Sequence, residues 1–400
     1  MASARFLTMP AVILITAVLL LGGCAPAYLS RKAPISPPTV RVAVAHGLDS
    51  VRVAGQDTVY VSDGVHLGKI APGESWTVFP DGVCLKIATS RGTIIAPAGP
   101  KLKIWSSANI QINYMSFLWP LSLLCQRAGA LLLVAEIPME DYLIGVISKE
   151  MGNAGEAEIE ALKAQAVAAR SYALTKIDSN RNSDYDLEAD VAHQAFDPWV
   201  EGSPAIWKAV EKTRGQVLCC RGKPFVPNYH STCGGRTALP SEVWGTADSL
   251  FPWAKSVKCE YCRISPRFRW KVDLASGELA RRALGLADTT IPITDIRIEA
   301  RSSSGRVQRL RIGSQAGDTV LFRDRIRFQL AEKILPSTWF DINCRRDELG
   351  NVASVEFTGK GYGHGVGLCQ WGAIGMAREG KKYKKILKKF YHNSVICKVY

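Results

Sequence analysis

The pattern of apolar and polar residues predicts that the first part of the chain is rich in β-structure. From Val40 to about Lys103, apolar and polar residues alternate in short runs with Gly and Asp at the breaks, as in strands joined by turns. The next segment, Tyr114 to Ile137, is strongly apolar. Pro120, Gln126 and Arg127 interrupt it, so it is predicted to form buried strands rather than a membrane-spanning helix.

Two helices are predicted next, from about Met139 to Met151 and from about Gly155 to Ile177. Pro138 suits the start of the first helix because its missing N–H is harmless there, and Gly152 suits the stop. Since strands precede these helices and mixed strands follow them, we predict an α+β fold, with the helices packed on mixed β-structure beside a β-rich N-terminal portion.

The segment from Arg267 to Ala331 is predicted to form mixed strands and one helix, with a hairpin-like turn at 302–305. A Gly-rich loop follows nearer the end of the chain. A basic helix is predicted from Arg378 to Tyr391. Its apolar residues follow helical spacing, so one face should dock on the protein and leave the lysines in solvent. The apolar positions are Tyr383, Ile386, Leu387 and Phe390, and the lysines are Lys381, Lys382, Lys384, Lys385, Lys388 and Lys389.

The first residues predict export and a lipid anchor. An apolar run from Met9 to Leu21 follows Arg5 and is too short to span a bilayer, as in a signal peptide. It ends in LGGC, the pattern of a lipobox, so Cys24 is the predicted lipidation site; the alternative is an ordinary signal peptide with a chance cysteine. We therefore expect a lipid-anchored protein of the cell envelope, in the periplasm or at the outer membrane if the cell has two membranes.

These features divide the chain into four predicted parts. Residues 1–23 are the signal peptide, and the Pro-rich residues 24–39 are a tether. Residues 40–135 form the β-rich region, and residues 136–400 form a helical region with a β-rich insertion at about 265–350.

Composition and charge narrow the class of partner. Apolar residues make up 47% of the chain and charged residues 22%, enough for a packed interior and against global disorder. The net charge of +14 favours an acidic partner. Export argues against nucleic acid and leaves lipid headgroups, lipopolysaccharide and the peptide carboxylates of peptidoglycan.

Glu150 is the candidate catalytic acid. Leu143, Val146, Ile147 and Glu150 are spaced at i, i+3, i+4 and i+7, which places an acid on the buried face of the first helix. Desolvation and the negative end of the helix dipole would both raise its pKa, which suits a general acid. The alternative is a Glu that pairs with a buried Arg or Lys.

Four segments resemble the signature segments of the SpoIID/LytB family, in the same order, over roughly Ile137 to Tyr400. They are IPMEDYLIGVISKEM, EIEALKAQAVAARSYAL, YHSTCGGRT and GKGYGHGVGLCQWGAIGMA. The resemblance implies a lytic transglycosylase that cleaves the MurNAc–GlcNAc backbone of peptide-stripped peptidoglycan and leaves 1,6-anhydroMurNAc ends. Its role would be wall remodelling or division, with Glu150 as catalyst and no cofactor required for the chemistry.

Two other functions stay open. LytB is described as a modifier of an N-acetylmuramoyl-L-alanine amidase, so the chain could bind the wall or an amidase without cutting. An ordinary hydrolase would cut with water and usually displays two acids that flank the bond.

The resemblance and the residue types also mark candidate substrate-binding residues. The second helix offers Arg170, Lys163 and Gln165, although Arg170 could instead be a packing or ion-pair residue. The Gly-rich loop supplies stacking surface and hydrogen bonds of the kind that sugars require. The candidates there are Tyr362, His364, Gln370 and Trp371; a Cys/His peptidase built on His364 and Cys369 is the weaker alternative.

Cysteines suggest one structural Zn²⁺. His230 and Cys233 lie in HSTC, and Cys259 and Cys262 lie in CEYC, two short-spaced pairs typical of zinc ligands. The resemblance implies a structural metal, because a family member holds zinc near this region while others replace the Cys with Ser. The alternative is a Cys259–Cys262 disulfide, with Cys233 free or paired to one of the cysteines at 219 and 220.

Overall fold

The computed structural model describes residues 36–400 except 93, 96–98, 127–128, 153, 190–193, 199–201, 286–290 and 331–334. The predicted signal peptide, the predicted lipidation site Cys24 and most of the predicted tether lie outside the described residues. None of the helices in the described part of the chain is long and apolar enough to cross a bilayer. The α+β class and the β-rich N-terminal portion are confirmed.

Strands make up the described chain before the first helix. They are β1 (Thr39–Leu48), β2 (Val51–Gly55), β3 (Val59–Ser62), β4 (Leu67–Ile70), β5 (Ser75–Asp81), β6 (Cys84–Thr89), β7 (Ile94–Ile95), β8 (Lys101–Ser106), β9 (Ile110–Ile112), β10 (Met115–Phe117), β11 (Leu121–Cys125) and β12 (Leu131–Pro138). They form two sheets whose apolar faces share one core. In β2, for example, Val51 and Val53 are buried and Arg52 between them is exposed, as period-two alternation predicts.

The seven-stranded sheet positions the first helix. Its order is β13-β1-β12-β11-β8-β3-β4, where β13 is Leu187–Glu188. β12 lies between β1 and β11, is buried along most of its length, and runs directly into the helix through Pro138. The helix therefore starts from a strand in the interior of a sheet.

The helices of the described residues are α1 (Met139–Met151), α2 (Ile159–Ser179), α3 (Pro204–Lys212), α4 (Pro240–Val243), α5 (Ser276–Leu284), α6 (Arg325–Gln329), α7 (Gln370–Arg378) and α8 (Tyr383–Phe390). The first predicted helix is confirmed at both ends, and the second begins as a 3-10 turn, Glu156–Glu158, that leads into α2. α2 contacts α1, α3, α7 and α8. Small residues of α2 such as Ala161, Ala164 and Ala168 are fully buried and allow this close packing.

The remaining strands are β14 (Gln216–Cys220), β15 (Lys223–Pro224), β16 (Tyr229–His230), β17 (Arg269–Ala275), β18 (Ile293–Arg301), β19 (Val307–Ser314), β20 (Gly317–Phe322), β21 (Phe340–Arg346), β22 (Val352–Lys360), β23 (Leu368–Cys369) and β24 (Val395–Lys398). β17 to β22 form a separate sheet with its own apolar core. The predicted hairpin turn at 302–305 joins β18 to β19.

The predicted basic helix is shorter than expected. α7 already ends at Arg378, and α8 begins at Tyr383, with Gly380 in the left-handed region between them at φ +77°. Within α8, Ile386, Leu387 and Phe390 are buried. Its apolar face therefore docks as predicted, and the lysines at 382, 384, 385 and 388 are exposed, whereas Lys381 and Lys389 are half-buried.

Candidate active site and cysteine centre

Glu150 lies in the last turn of α1, at the edge of a cavity of about 270 Å³. Leu143, Val146 and Ile147 on the same helix are fully buried, whereas Glu150 is half-buried and faces the cavity. The cavity is lined by Ser148, Lys149, Glu150, Met151, Gly152, Ala154, Glu158, Ser231, Gln370, Trp371, Ile374 and Arg378. Residues from α1, from the turn before α2 and from α7 thus converge on one space.

Two hydrogen-bond donors hold the Glu150 carboxyl group. Gln370 Nε2 donates to Glu150 Oε2 at 2.9 Å, and the backbone N–H of Ala195 donates to the same carboxyl group. Burial raises the pKa of Glu150, and the two donors oppose this without cancelling it. Such a carboxyl can carry a proton at higher pH than an ordinary Glu, as a general acid requires.

The segment that carries Ala195 is fixed from behind by Gln194. Tyr142 Oη donates to Gln194 Oε1 at 3.1 Å, and Gln194 Nε2 donates to Tyr229 Oη at 2.9 Å. Burial raises the pKa of both phenols, so both stay protonated. This network orients the Ala195 N–H toward Glu150.

Glu158 is a second carboxylate in the same cavity. Its Oε1 accepts from Arg378 Nε at 2.8 Å, and its Oε2 accepts from the Gly155 N–H at 2.9 Å. Burial raises the pKa of Glu158, but these hydrogen bonds and the nearby guanidinium outweigh it and leave the pKa below its usual range. The cavity therefore holds two acids whose surroundings move their pKa values in opposite directions.

The expectation that Arg170 binds substrate or orients Glu150 is wrong. Its side chain is fully buried and forms a bidentate ion pair with Glu140, at 3.1 Å from Nε to Oε1 and 2.6 Å from Nη2 to Oε2. It also donates to the backbone oxygen of Gln216 at 3.1 Å, and Tyr400 Oη donates to Glu140. Arg170 thus joins α1, α2 and the C-terminal segment inside the core. This agrees with the alternative interpretation of Arg170 as a packing or ion-pair residue.

Lys163 and Gln165 are not among the residues that line the Glu150 cavity. Lys163 Nζ forms an ion pair with Glu160 at 2.8 Å one turn earlier in α2. Gln165 is fully buried, and its amide has no hydrogen-bond partner among the described residues. Neither side chain is placed to contact a substrate in this cavity.

The Gly-rich loop divides into two parts. Gln370 and Trp371 line the cavity of Glu150, whereas Tyr362 and His364 do not. Tyr362 lies under the Arg267 guanidinium at 5.0 Å from the ring centre. His364 Nε2 donates to the Tyr229 backbone oxygen at 2.9 Å, and its Nδ1 accepts from the Val366 N–H.

Tyr362 and His364 therefore lie outside the cavity of Glu150, and the loop that carries them packs against the protein. Gly361, Gly363, Gly365 and Gly367 all have positive φ. At Gly367, an added Cβ would lie 2.0 Å from the backbone oxygen of Asn228. The glycines are required for close approach of the loop to its neighbouring segment.

Four cysteines form the candidate metal centre. The Sγ atoms of Cys233, Cys259, Cys262 and Cys369 lie within 4.8 Å of one another, and all four residues are buried. Tetrahedral Zn²⁺ with bonds of ~2.3 Å separates its sulfur ligands by about 3.8 Å, so the group fits this ion. The four thiols interact with one another, which lowers the pKa of Cys262 and raises that of Cys259 and Cys369.

The predicted ligand His230 is replaced by Cys369. His230 is buried, its Nδ1 donates to the Val366 backbone oxygen at 3.1 Å, and it does not belong to the cysteine group. Cys369 comes from the Gly-rich loop, more than a hundred residues after CEYC, so local spacing could not identify it. The alternative disulfides are absent from the described residues, where Cys259 and Cys262 are free thiols.

The cysteine centre is connected to Glu150 through two consecutive residues, because Cys369 directly precedes Gln370. Cys369 is the N-cap of α7, and its Sγ accepts from the Gly372 N–H at 3.3 Å. The next residue is Gln370, which binds Glu150. A Cβ on Gly372 would lie 2.6 Å from Cys259 Sγ, so only glycine allows α7 to approach the centre this closely.

Sequence reasoning missed Ala195, Gln194 and Glu158. Ala195 acts through its backbone and has no side-chain signal. Glu158 resembled other acids at a helix start, and only its contact with Arg378, 220 residues later, places it in the cavity. The segment YHSTCGGRT contains Ser231, which also lines the cavity, but the residue type alone gave no reason to select it.

Comparison with protein families gives two matches. Residues 127–219, which include α1 and α2, match the family described as Stage II sporulation protein. Residues 259–367, which include the separate β17–β22 sheet, match a domain of unknown function.

Three relatives show the extent of the similarity. An uncharacterized protein of Brachyspira hyodysenteriae is 34% identical over 268 residues, 66% of this chain and 68% of the relative. Stage II sporulation protein D of Bacillus subtilis is 27% identical over 66% of this chain and 75% of its own length. The amidase enhancer of the same organism is 28% identical over 64% of this chain, but the match covers 40% of that longer protein.

The family match covers the helix that carries Glu150, and the named relatives include both a Stage II sporulation protein D and an amidase enhancer. This chain belongs to the SpoIID/LytB family.

Proposed function

We propose that the protein is a peptidoglycan lytic transglycosylase that cleaves the MurNAc–GlcNAc backbone and leaves 1,6-anhydroMurNAc ends. The SpoIID/LytB family has a role related to the cell wall, which sets the substrate class. The observation that carries the proposal is Glu150, a carboxyl group with a raised pKa at the edge of an open cavity.

The proposed reaction uses Glu150 twice. Protonated Glu150 first gives its proton to the glycosidic oxygen, and the bond from that oxygen to the anomeric carbon of MurNAc breaks. The carboxylate then takes the proton of the MurNAc 6-hydroxyl while this oxygen forms a bond to the anomeric carbon. Gln370 and the Ala195 N–H stabilise the carboxylate between the two steps.

Other residues would bind the sugar chain or position the residues around Glu150. Trp371 presents an indole at the cavity, a surface on which a sugar ring can stack. A zinc ion held by Cys233, Cys259, Cys262 and Cys369 would be structural, and its contribution would be to fix the start of α7 and hence Gln370. Export and lipid attachment at Cys24 are also proposals, and they rest on the apolar run from Met9 to Leu21 after Arg5 and on the LGGC pattern that ends it.

Two specific observations favour other functions. Glu158 gives the cavity a second acid, as a hydrolase usually has, although both of its oxygens are engaged by Arg378 and Gly155. A relative named amidase enhancer favours a protein that binds the wall and acts on an amidase without cutting glycan.

One experiment separates the three functions. Purified protein is incubated with defined peptide-free glycan strands, and the products are analysed by mass spectrometry. Lytic cleavage gives ends that are lighter by one water than hydrolytic ends, and a binding protein releases no product. We expect anhydro ends, with less than roughly a tenth of the rate in Glu150→Gln, which keeps the shape of the side chain but cannot donate the proton.

A further inference from the structure

A cavity of about 590 Å³ lies where the segments that carry Cys233 and Cys259 meet the separate sheet of β17 to β22. It shares no lining residue with the cavity of Glu150. Its lining contains one acid, Glu260, and five cations, so the cavity is strongly positive. The cations are Arg236, Lys258, Arg263, Arg269 and Lys360.

Four of the cations form two pairs of directly opposed residues. Arg269 in β17 lies opposite Lys360 in β22, and an antiparallel bridge places Arg236 opposite Lys258. Opposed side chains of antiparallel strands have Cβ atoms about 4.5–5.5 Å apart, and like charges at such positions destabilise the pairing. Both pairs therefore reduce the stability of the protein on its own.

No acid in the described part of the chain forms an ion pair with any of these five cations. The Ser256 hydroxyl accepts from Arg236 Nη1 at 3.5 Å, and Lys360 Nζ lies 5.4 Å from the centre of the Trp339 ring. Neither contact neutralises a charge. Lys258, Arg263 and Arg269 are exposed, and Arg236 and Lys360 are half-buried.

The same sheet supplies acids to cations at other positions. Lys271 lies two residues after Arg269 in β17 and forms an ion pair with Glu356. Arg301 in β18 forms an ion pair with Asp341 at 2.6 Å. The unpaired cations are therefore a feature of this cavity, since the sheet pairs cations elsewhere.

The cysteine centre does not account for this charge. Four thiolates around Zn²⁺ would carry a net charge of about −2. Arg306 is fully buried beside the centre and donates to the backbone oxygens of Cys233 at 3.0 Å and Arg236 at 3.2 Å. With Arg306 included, six cations stand against Glu260 and the centre, which leaves about three positive charges without a partner.

We propose that this cavity binds a phosphate group, carried by a lipid headgroup or by a soluble phosphate ester. The cations come from three separate parts of the chain, at 236, 258–269 and 360, and so surround a ligand. A phosphate monoester offers three oxygens in different directions and up to about two negative charges, whereas a carboxylate offers two oxygens in one plane and one charge. Each arginine can bind two phosphate oxygens, and the bound anion would neutralise the opposed pairs.

The test changes Arg269 to Glu in the purified protein. This substitution places an acid opposite Lys360 and removes a like-charge pair, so the midpoint of thermal unfolding should stay the same or rise. Binding of inorganic phosphate is measured by calorimetry in low salt at about pH 8, and its Kd should rise about tenfold or more, because a charged partner is lost and a repulsive one is added. A residue with only a structural role would not combine unchanged stability with lost phosphate binding.

Arg345→Glu is the matched control, because it changes the net charge by the same amount in the same sheet. Arg345 is exposed and lies opposite Ser354, six residues or about 20 Å along β22 from Lys360. Malonate is the matched ligand, since it carries a similar charge on two carboxylates. If Arg269→Glu does not fold, Lys258→Gln replaces it, because Lys258 is exposed and lies outside the sheet.

Three results would overturn the proposal. They are equal Kd values for phosphate in the Arg269→Glu and Arg345→Glu proteins, malonate binding as tight as phosphate binding, and loss of bound metal from Arg269→Glu. The last would assign the cations to the cysteine centre. None of these measurements involves Glu150, so they are independent of the proposed lytic activity.

Vesicles distinguish the two sources of phosphate. They contain equal parts of phosphatidylglycerol and phosphatidylcholine, and the protein is sedimented with them. Sedimentation that is lost in Arg269→Glu and kept in Arg345→Glu would identify a lipid headgroup as the ligand. If calorimetric binding of phosphate depends on Arg269 but sedimentation is the same in both variants, the ligand is a soluble phosphate ester.

Discussion

Removal of the Gln370 side-chain donor should move the pH dependence of the proposed reaction. Gln370 Nε2 donates to Glu150 Oε2 at 2.9 Å and stabilises the ionised form of this acid. Gln370→Leu keeps the bulk of the side chain and removes the donor, so the pKa of Glu150 should rise further above its usual range. A general acid is active while protonated, and therefore the alkaline limb of the rate profile should move to higher pH.

The size of the effect follows from the strength of the bond. A hydrogen bond to a charged group contributes about 1.5–3 kcal/mol. Glu150 is half-buried, so water can replace part of that contribution, and about 1.4 kcal/mol of lost stabilisation corresponds to a move of about one pH unit. The Ala195 N–H stays in place and limits the change.

The assay is the release of anhydro ends from peptide-free strands at limiting substrate, measured across pH, so that the profile reports the free enzyme. Gln308→Leu is a matched control, because Gln308 donates to a backbone oxygen of Glu242 outside the cavity. Gln370→Glu should move the limb in the same direction as Gln370→Leu, since a second carboxylate disfavours ionisation of the first. An unchanged limb in both Gln370 variants, or a move to lower pH, would refute the role assigned to this contact.

Three further predictions test other parts of the structure. Arg170→Met should lower the free energy of unfolding by about 3–5 kcal/mol in a denaturant titration, because it leaves Glu140 buried without its partner; a loss below 1 kcal/mol would contradict the buried ion pair. Purified protein should contain about one equivalent of zinc by mass spectrometry, retained in His230→Asn and lost in Cys369→Ser, whereas the reverse pattern would restore His230 as a ligand. Replacement by Gln of the exposed lysines at 382, 384, 385 and 388 should weaken sedimentation of the protein with intact wall sacculi in low salt. The same change should alter turnover of peptide-free strands by less than about twofold. Equal sedimentation of the variant and the parent protein at all salt concentrations would show that these lysines do not bind the wall.

Local pattern predicted the elements of the fold well. The ends of α1 follow from Pro138 and Gly152, and the hairpin between β18 and β19 follows from the turn residues between two alternating runs. The start of the predicted basic helix was placed too early, at Arg378, whereas α7 ends there and α8 begins at Tyr383, after Gly380 at positive φ.

The site was predictable only where a residue acts near its own place in the sequence. Glu150 was selected because an acid interrupts an apolar helical face and because the segment that carries it resembles a family signature; the structure places it at the edge of a cavity. Arg170 was misassigned because its partner Glu140 lies 30 residues earlier, and helical spacing shows which residues share a face but not what that face contacts. Cys369 was missed as a fourth ligand because its role depends on β23 pairing with β16, a contact between distant parts of the chain.

The start of the described chain lies close to the start of α1, and this has a mechanical consequence. Thr39 pairs with Pro138, and the Met139 N–H donates to the Pro38 backbone oxygen at 2.9 Å. Glu150 lies about 18 Å farther along the helix, at its opposite end. A force applied through residues before 36 would therefore act on the first residues of β1, and the ladder of hydrogen bonds between β1 and β12 would resist it. It would also orient α1 so that Glu150 lies at the end of the helix farther from the point where the force acts.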